Sequence, residues 1–338
     1  MEGIFAAWGR ILGGYRPALS VEITRECPLR CPGCYAYGDE HLGGGVTLRQ
    51  VSDLKGEELI TRFFALVDEH KPLHVSIVGG EPLVRFRELN VILPRLARRG
   101  IYTQLVTSAV RPIPLEWRDL RRLQVVVSID GLQPEHDERR KPATYERILK
   151  HIKGHRVTVH CTVTRQQARR DGYLDEFVRF WSDNPDTHQI WVSLYTPQIG
   201  EVSDERLQPD DRDRVVAALM HLRTRYPSLR MPQGLIQTYK RPPRSPQECT
   251  FAQTTTCVSA DLKRRITPCQ FGGTPDCESC GCIASAGLEA VARHRLPGGM
   301  RVGLVFEQSL RFGRGVRRLR DSLEAGTWKL KTEADSES

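Results

Sequence analysis

At 338 residues, 39% hydrophobic and 27% charged, the chain is long enough to bury a large core and has the composition of an ordinary folded protein, not a disordered or fibrous one. Its 50 Lys and Arg against 41 Asp and Glu give a net charge of +9, a mild pull toward anionic partners that does not by itself require nucleic acid. No apolar run reaches a membrane span, the start from Met1 to Trp8 with Arg10 close behind is no secretory signal, and ten cysteines without such a signal fit a reducing, cytoplasmic setting where thiols serve as metal ligands.

Ile4, Phe5, Trp8, Ile11 and Leu12 recur at helical spacing, which predicts a short amphipathic helix within residues 1–16, ended by Gly13-Gly14. Docking on the main body is its expected use, and peripheral contact with a membrane surface is the alternative. From residue 18 to about 196, apolar strands alternate with helical stretches, the pattern of a parallel sheet with right-handed crossovers. Strands are expected at 18–23, 73–78, 101–107, 123–129, 156–163 and 189–195, with helices at 57–70, 86–99, 115–121, 144–153 and 173–182. A polar loop (200–213), a helix through Val215, Leu219 and Leu222 to Tyr226, and a proline-rich linker (240–246) follow, and the tail from Thr332 to Ser338 reads as frayed. The expected fold class is α/β, divided into an N-terminal helix (1–16), a barrel-like body (17–235) and a small cysteine-rich C-terminal region (236–338).

Several strands alternate in polarity. Val157, Val159, Cys161 and Val163 are set against Thr158, His160, Thr162 and Thr164, and Leu19, Val21 and Ile23 against Ser20, Glu22 and Thr24. The apolar set is expected to face outer helices and the polar set a lumen. A structural barrel fills its lumen with branched apolar side chains, so a polar lumen points to a bound polar group. His160 and Tyr195 are the candidates there for donating or accepting a proton, with hydrogen-bonded packing the plainer role for each.

Directly after the first strand stand Cys27, Cys31 and Cys34, a C-x3-C-x2-C run. Three thiolates can hold three irons of a 4Fe-4S cube and leave the fourth iron open. A zinc knuckle or half of a ferredoxin site is the alternative, but zinc needs a fourth ligand, and the nearest candidate, His41, lies seven residues on. After the second strand comes Gly79-Gly80-Glu81-Pro82, where two glycines allow the backbone to approach a ligand closely.

These two motifs, in this order and spacing, resemble the radical S-adenosylmethionine (radical SAM) enzymes. The resemblance implies an open, partial (β/α)6 TIM-like barrel with S-adenosylmethionine chelated to the unique iron. It also implies reductive cleavage to a 5′-deoxyadenosyl radical that takes hydrogen from an unactivated carbon, and an external electron donor such as flavodoxin or ferredoxin. In that family Gly79, Gly80, Glu81 and Pro82 would bind the methionine amino group through backbone carbonyls and the Glu. Ser108, Ser128, Asp130 and Thr164, at the mouths of strands three to five, would suit the ribose and carboxylate, although each is also a natural turn or cap residue. Two departures stand out: Thr107-Ser108-Ala109 replaces a common Thr-Asn-Gly, and Gly33 replaces the aromatic that often contacts adenine, leaving Tyr35 as the substitute.

Cys249, Cys257, Cys269, Cys277, Cys280 and Cys282 lie beyond the linker, and Val258 to Cys269 resembles the hairpin ending in Pro-Cys of SPASM and twitch extensions. That resemblance implies auxiliary iron-sulfur clusters, and six thiols favour one auxiliary 4Fe-4S cluster, chiefly on Cys269, Cys277 and Cys280. Structural zinc is the alternative. The extension resembles that of peptide-maturing enzymes, although about 17 residues before the first strand are too few for a leader-binding domain. Tailoring of a lipid or isoprenoid chain, small-molecule dehydrogenation, and a non-catalytic iron-sulfur or zinc protein are the other readings.

Overall fold

A computed structural model describes residues 2–142 and 145–334. Seven strands, β1 (Ala18–Glu22), β2 (His74–Val78), β3 (Tyr102–Thr107), β4 (Leu123–Ser128), β5 (Val157–Val163), β6 (Thr187–Leu194) and β7 (Thr255–Val258), form one sheet in the order β6-β5-β4-β3-β2-β1-β7. Every ladder is parallel. All six expected strands are present to within two residues at their ends. The seventh is not among the expected strands: Thr255–Val258 comes from the cysteine-rich C-terminal region and pairs with β1 from Ala18↔Thr255 to Val21↔Val258. Four residues carry too little periodicity to be read as a strand, but they satisfy the backbone groups on the free edge of β1.

The helices in chain order are α1 (Glu2–Leu12), α2 (Gly56–His70), α3 (Phe86–Arg98), α4 (Gln133–Arg139), α5 (Tyr145–His151), α6 (Arg165–Arg169), α7 (Tyr173–Asp183), α8 (Pro209–Arg225), α9 (Gln233–Thr238), α10 (Thr250–Thr254), α11 (Ile283–Arg293) and α12 (Val302–Ala334). The expected helix at 115–121 is only a 3-10 turn, Leu115–Asp119. Thr144, the expected start of α5, lies outside the described residues. Helix α8 begins at Pro209, inside the expected loop, because Pro suits a first helical position and the Gln208 and Asp211 side chains close a capping box there. The expected boundary at 235/236 falls inside α9, so no break in the chain separates the body from the cysteine-rich region there. The frayed tail is likewise corrected in part: α12 continues to Ala334, and 335–338 lie outside the described residues.

The strand alternation is realised. Leu19, Val21, Val75, Ile77, Val157, Val159, Cys161 and Val163 are buried in one core with Leu59, Phe63, Leu89, Ile92, Phe177 and Trp181 of α2, α3 and α7. The opposite face carries Ser20, Glu22, Thr158 and His160, so the sheet has an apolar back and a polar, hydrogen-bonded front. All strands being parallel, their C-terminal ends gather at one mouth, where loops meet the polar face.

Candidate active site at the mouth of the sheet

The cysteine loop leaves the end of β1 and is fixed at its root by the turn after β2. Gly80 N donates to Thr24 O at 2.8 Å and Glu81 N to Glu26 O at 2.8 Å. A Cβ on Gly80 would stand 2.3 Å from Glu26 O, so only glycine permits this contact, and Gly79 has φ +124. The Gly79-Gly80-Glu81-Pro82 turn thus braces the residues that lead into Cys27.

A polar network missed by sequence reading locks the same root from outside. Asp53 accepts from Thr24 Oγ1 and Arg25 N, each at 3.2 Å, and pairs with Arg85, which also reaches Glu26 at 3.1 Å. Arg85 and Lys55 together pull the Glu26 carboxyl down to about 2. These residues lie 28 to 59 positions away from their partners, and nothing in their local sequence marks them.

Cys27, Cys31 and Cys34 are free, partly buried, and close enough to feel one another's charge. Burial, reinforced by Glu81 and the neighbouring thiols, pushes Cys27 up to about 12, and burial likewise raises Cys31 and Cys34. A bound cation would reverse that direction. His41, the fourth ligand a zinc site would need, has both ring nitrogens engaged: Nε2 is 2.8 Å from Glu22 Oε1 and Nδ1 is 2.9 Å from Phe271 O. Three soft thiols, with His41 engaged elsewhere, fit a 4Fe-4S cluster with one open iron. Among the described residues, no three His, Cys, Asp or Glu side chains converge at the distances of a single metal ion.

Glu81 is fully buried, with its carboxylate directed into the protein. Oε1 accepts from Thr107 Oγ1 at 2.5 Å and Leu83 N at 2.9 Å, and Oε2 from Ser108 N at 2.7 Å. Burial raises its pKa despite these bonds. It ties the mouths of β2 and β3 together and caps the turn from Pro82 to Arg85.

Asp130, after β4, is bound at 2.8 Å by Arg140 Nε, with Arg139 at 3.6 Å. Burial opposes ionisation, yet the two arginines hold the carboxyl well below its ordinary range. Arg140 also donates to Ser108 Oγ at 2.9 Å, and its charge reaches Cys31 and Cys34. Arg140 therefore joins the mouths of β3 and β4 to the cysteine loop, and sequence reading passed it over. Ser128 is buried at the end of β4 opposite His160 in the ladder. Thr164 acts as the N-cap of α6 in a capping box with Gln167, and Gln167 donates to Asp130 O at 2.7 Å.

His160 projects into the polar face, 2.8 Å from Ser193 Oγ, and burial lowers its pKa to about 4. The Tyr195 hydroxyl donates to Glu201, and burial with Glu201 pushes it up to about 12. Tyr35 sits edge-on between His41 and Phe271, with ring centroids at 5.5 and 5.2 Å.

Five C-terminal cysteines, Cys249, Cys269, Cys277, Cys280 and Cys282, line one cavity closed by Pro243, Pro246 and Phe271. Cys257, also expected as a ligand, lies in β7, paired with Ser20, and does not line that cavity, although its charge reaches Cys269. The expected hairpin is present, with Ser259 N donating to Arg264 O at 2.9 Å and Ile266 N to Cys257 O at 3.0 Å. The turn carrying Cys277, Cys280 and Cys282 is docked on the body. Arg212 donates to Ser279 O and Cys280 O, and Gly281 exchanges hydrogen bonds with Leu194 and Thr196.

Residues 21–164 match the family described as the radical SAM superfamily. A PqqA peptide cyclase of Rhizobium meliloti is 30% identical over 125 residues, covering 36% of this chain and 31% of the relative. A 7-carboxy-7-deazaguanine synthase of Hyperthermus butylicus is 33% identical over 105 residues, 30% of this chain and 39% of the relative. The chain thus matches about a third of the length of these curated relatives. Among solved structures, native anSMEcpe with bound AdoMet aligns at TM-score 0.53 and 18% identity, over 75% of this chain and 74% of that one. SuiB of Streptococcus suis bound to precursor peptide SuiA aligns at TM-score 0.53 and 16% identity, over 76% and 61%. These likenesses are of fold. With the cysteine loop, the glycine turn and the matched segment coinciding on one sheet mouth, residues 21–164 belong to the radical SAM superfamily.

Proposed function

We propose that the protein is a radical SAM enzyme that acts on a peptide. The observation that carries this reading is the pair of backbone hydrogen bonds welding the Gly79-Gly80-Glu81-Pro82 turn to the root of the Cys27–Cys34 loop, which supports that turn as the amine-binding element beside a three-thiol cluster site. When bound, the cluster and S-adenosylmethionine supply a 5′-deoxyadenosyl radical able to take hydrogen from an unactivated carbon. The chain's own contribution is placement. Cys27, Cys31 and Cys34 hold the cluster, the Gly79 and Gly80 carbonyls receive the methionine ammonium, and Arg140 offers its guanidinium to a carboxylate at the same mouth. Peptide as substrate is supported by the PqqA peptide cyclase relatives and by the fold shared with SuiB in complex with its precursor peptide.

The cavity lined by five thiols is the site proposed for one auxiliary 4Fe-4S cluster, with Cys269, Cys277 and Cys280 as principal ligands and Cys249 or Cys282 completing the set. His160 and Tyr195 are proposed as the groups that hold or pass a proton on the lumen side. An external flavodoxin or ferredoxin is the proposed reductant, and ten free cysteines suit a reducing cytoplasm.

The experiment is anaerobic reconstitution with iron and sulfide followed by dithionite and S-adenosylmethionine. The wild-type protein should release 5′-deoxyadenosine, and a Cys27→Ala/Cys31→Ala/Cys34→Ala variant should not. Equal release by both would remove the proposal.

A further inference from the structure

Helices α1 and α12 pack on each other away from the cysteine sites. Trp8 stacks on Phe306 with centroids 6.2 Å apart, Trp8 Nε1 donates to Ser309 Oγ at 2.6 Å, and Gly313 lies directly against the Ile11 carbonyl. This contact does not use all of the apolar surface of α12. Leu304 is 55% exposed, Phe312 63%, Leu319 64% and Leu323 63%. Set eight, seven and four residues apart, they fall within about 100° of one another around a helix of 3.6 residues per turn. They form a stripe bordering the Ser309–Gly313 side that α1 covers. Phe5 and Leu12, also exposed, extend apolar surface along α1.

On the other border of the stripe stand Arg311, Arg314 and Arg318, all exposed, whereas Arg317 and Arg320 lie on the side facing the end of α1, against Gly14 and over the Tyr15 ring. Between Val302 and Leu323 the acidic residues are Glu307, paired with Arg311 at 2.7 Å, and Asp321, near Arg317 and Arg320; Glu324 and Glu333 follow further along α12. Bulky apolar side chains beside a predominantly cationic border match an anionic lipid surface, where the leucines and phenylalanines enter the acyl boundary and the guanidiniums meet headgroup phosphates. No described helix is long and apolar enough to cross a membrane.

We infer that the α1–α12 pair is a peripheral docking surface for anionic membranes. The inference is independent of the cysteine chemistry and survives or fails on its own. The test is sedimentation of the full chain with phosphatidylcholine vesicles with and without phosphatidylglycerol. Partitioning onto the anionic vesicles should exceed that onto neutral ones by about tenfold or more and fall with added salt. A Phe312→Asp/Leu319→Asp variant and an Arg314→Glu/Arg318→Glu variant should each lose it while keeping the wild-type melting temperature and iron content. No partitioning, equal partitioning onto both vesicle types, or full binding by the Phe312→Asp/Leu319→Asp variant would overturn the inference. So would a concentration-dependent dimer abolished by that variant without vesicle binding, which would assign the stripe to a second copy, or salt-sensitive binding to duplex DNA in place of vesicles.

Discussion

Glu22 Oε1 and His41 Nε2 stand 2.8 Å apart with neither side chain exposed, and between them they join the two cysteine regions. Glu22 lies at the end of β1 and also accepts from Ser259 Oγ at 3.0 Å, in the hairpin after β7. His41, in the loop that follows Cys34, reaches the Phe271 carbonyl two residues beyond Cys269. Gly272 packs so closely on His41 O that a Cβ there would stand at 1.8 Å.

Burial is the largest single influence and opposes a charge on His41, but the bond to Glu22, the Glu22 charge and the Phe271 carbonyl together outweigh it, and the net shift of its pKa is upward. A histidine raised in the folded state stabilises the fold fully below its unfolded pKa of about 6.5, and loses that contribution as pH rises through the folded value. His41→Gln should therefore cost about 3–5 kcal/mol in the acidic range, as for a buried pair losing one partner, and less as pH increases. Urea unfolding of both proteins at several pH values measures this. A pH-independent difference would show that His41 is neutral when paired.

Glu81→Gln replaces a carboxylate that accepts three hydrogen bonds by an amide with one oxygen and an NH2 group that faces donors. One or two charge-assisted bonds of about 1.5–3 kcal/mol each are lost. The melting temperature should fall, and because the turn braces the cysteine loop, S-adenosylmethionine affinity should drop by about tenfold, with iron binding at Cys27, Cys31 and Cys34 retained. Calorimetric titration on the reconstituted variant is the check. Unchanged affinity with a lowered melting temperature would make Glu81 a brace alone.

The five-thiol cavity separates iron from zinc. In the Cys27→Ala/Cys31→Ala/Cys34→Ala background, metal analysis should find about four irons per chain. A further Cys280→Ser should remove them, whereas Cys257→Ser should not, since Cys257 sits in β7 outside the cavity. Stoichiometric zinc without iron would overturn the auxiliary cluster, and equal loss in both variants would return Cys257 to the ligand set.

The sequence determined the parts whose signal is local. Strand order by strand, the alternation of Val157, Val159, Cys161 and Val163 with polar neighbours fixes which face enters the core, because side chains on a strand repeat every two residues. The cysteine spacing and the Gly79-Gly80 pair are likewise local, since a loop that presents three thiols and a turn that excludes a Cβ are written in adjacent residues. What only the tertiary structure decided are the long-range partners. A four-residue run such as Thr255–Val258 has no periodicity of its own, and becomes a strand because β1 offers it an unsatisfied edge. Arg140, Arg85 and Asp53 look like surface charges in sequence. They become the wiring of the site because burial makes each charge seek an opposite one, and folding alone decides which comes within reach. Glu81 shows the same division: its place beside the glycines is local, but the direction of its carboxylate, toward Thr107 and Ser108, depended on where β3 ended.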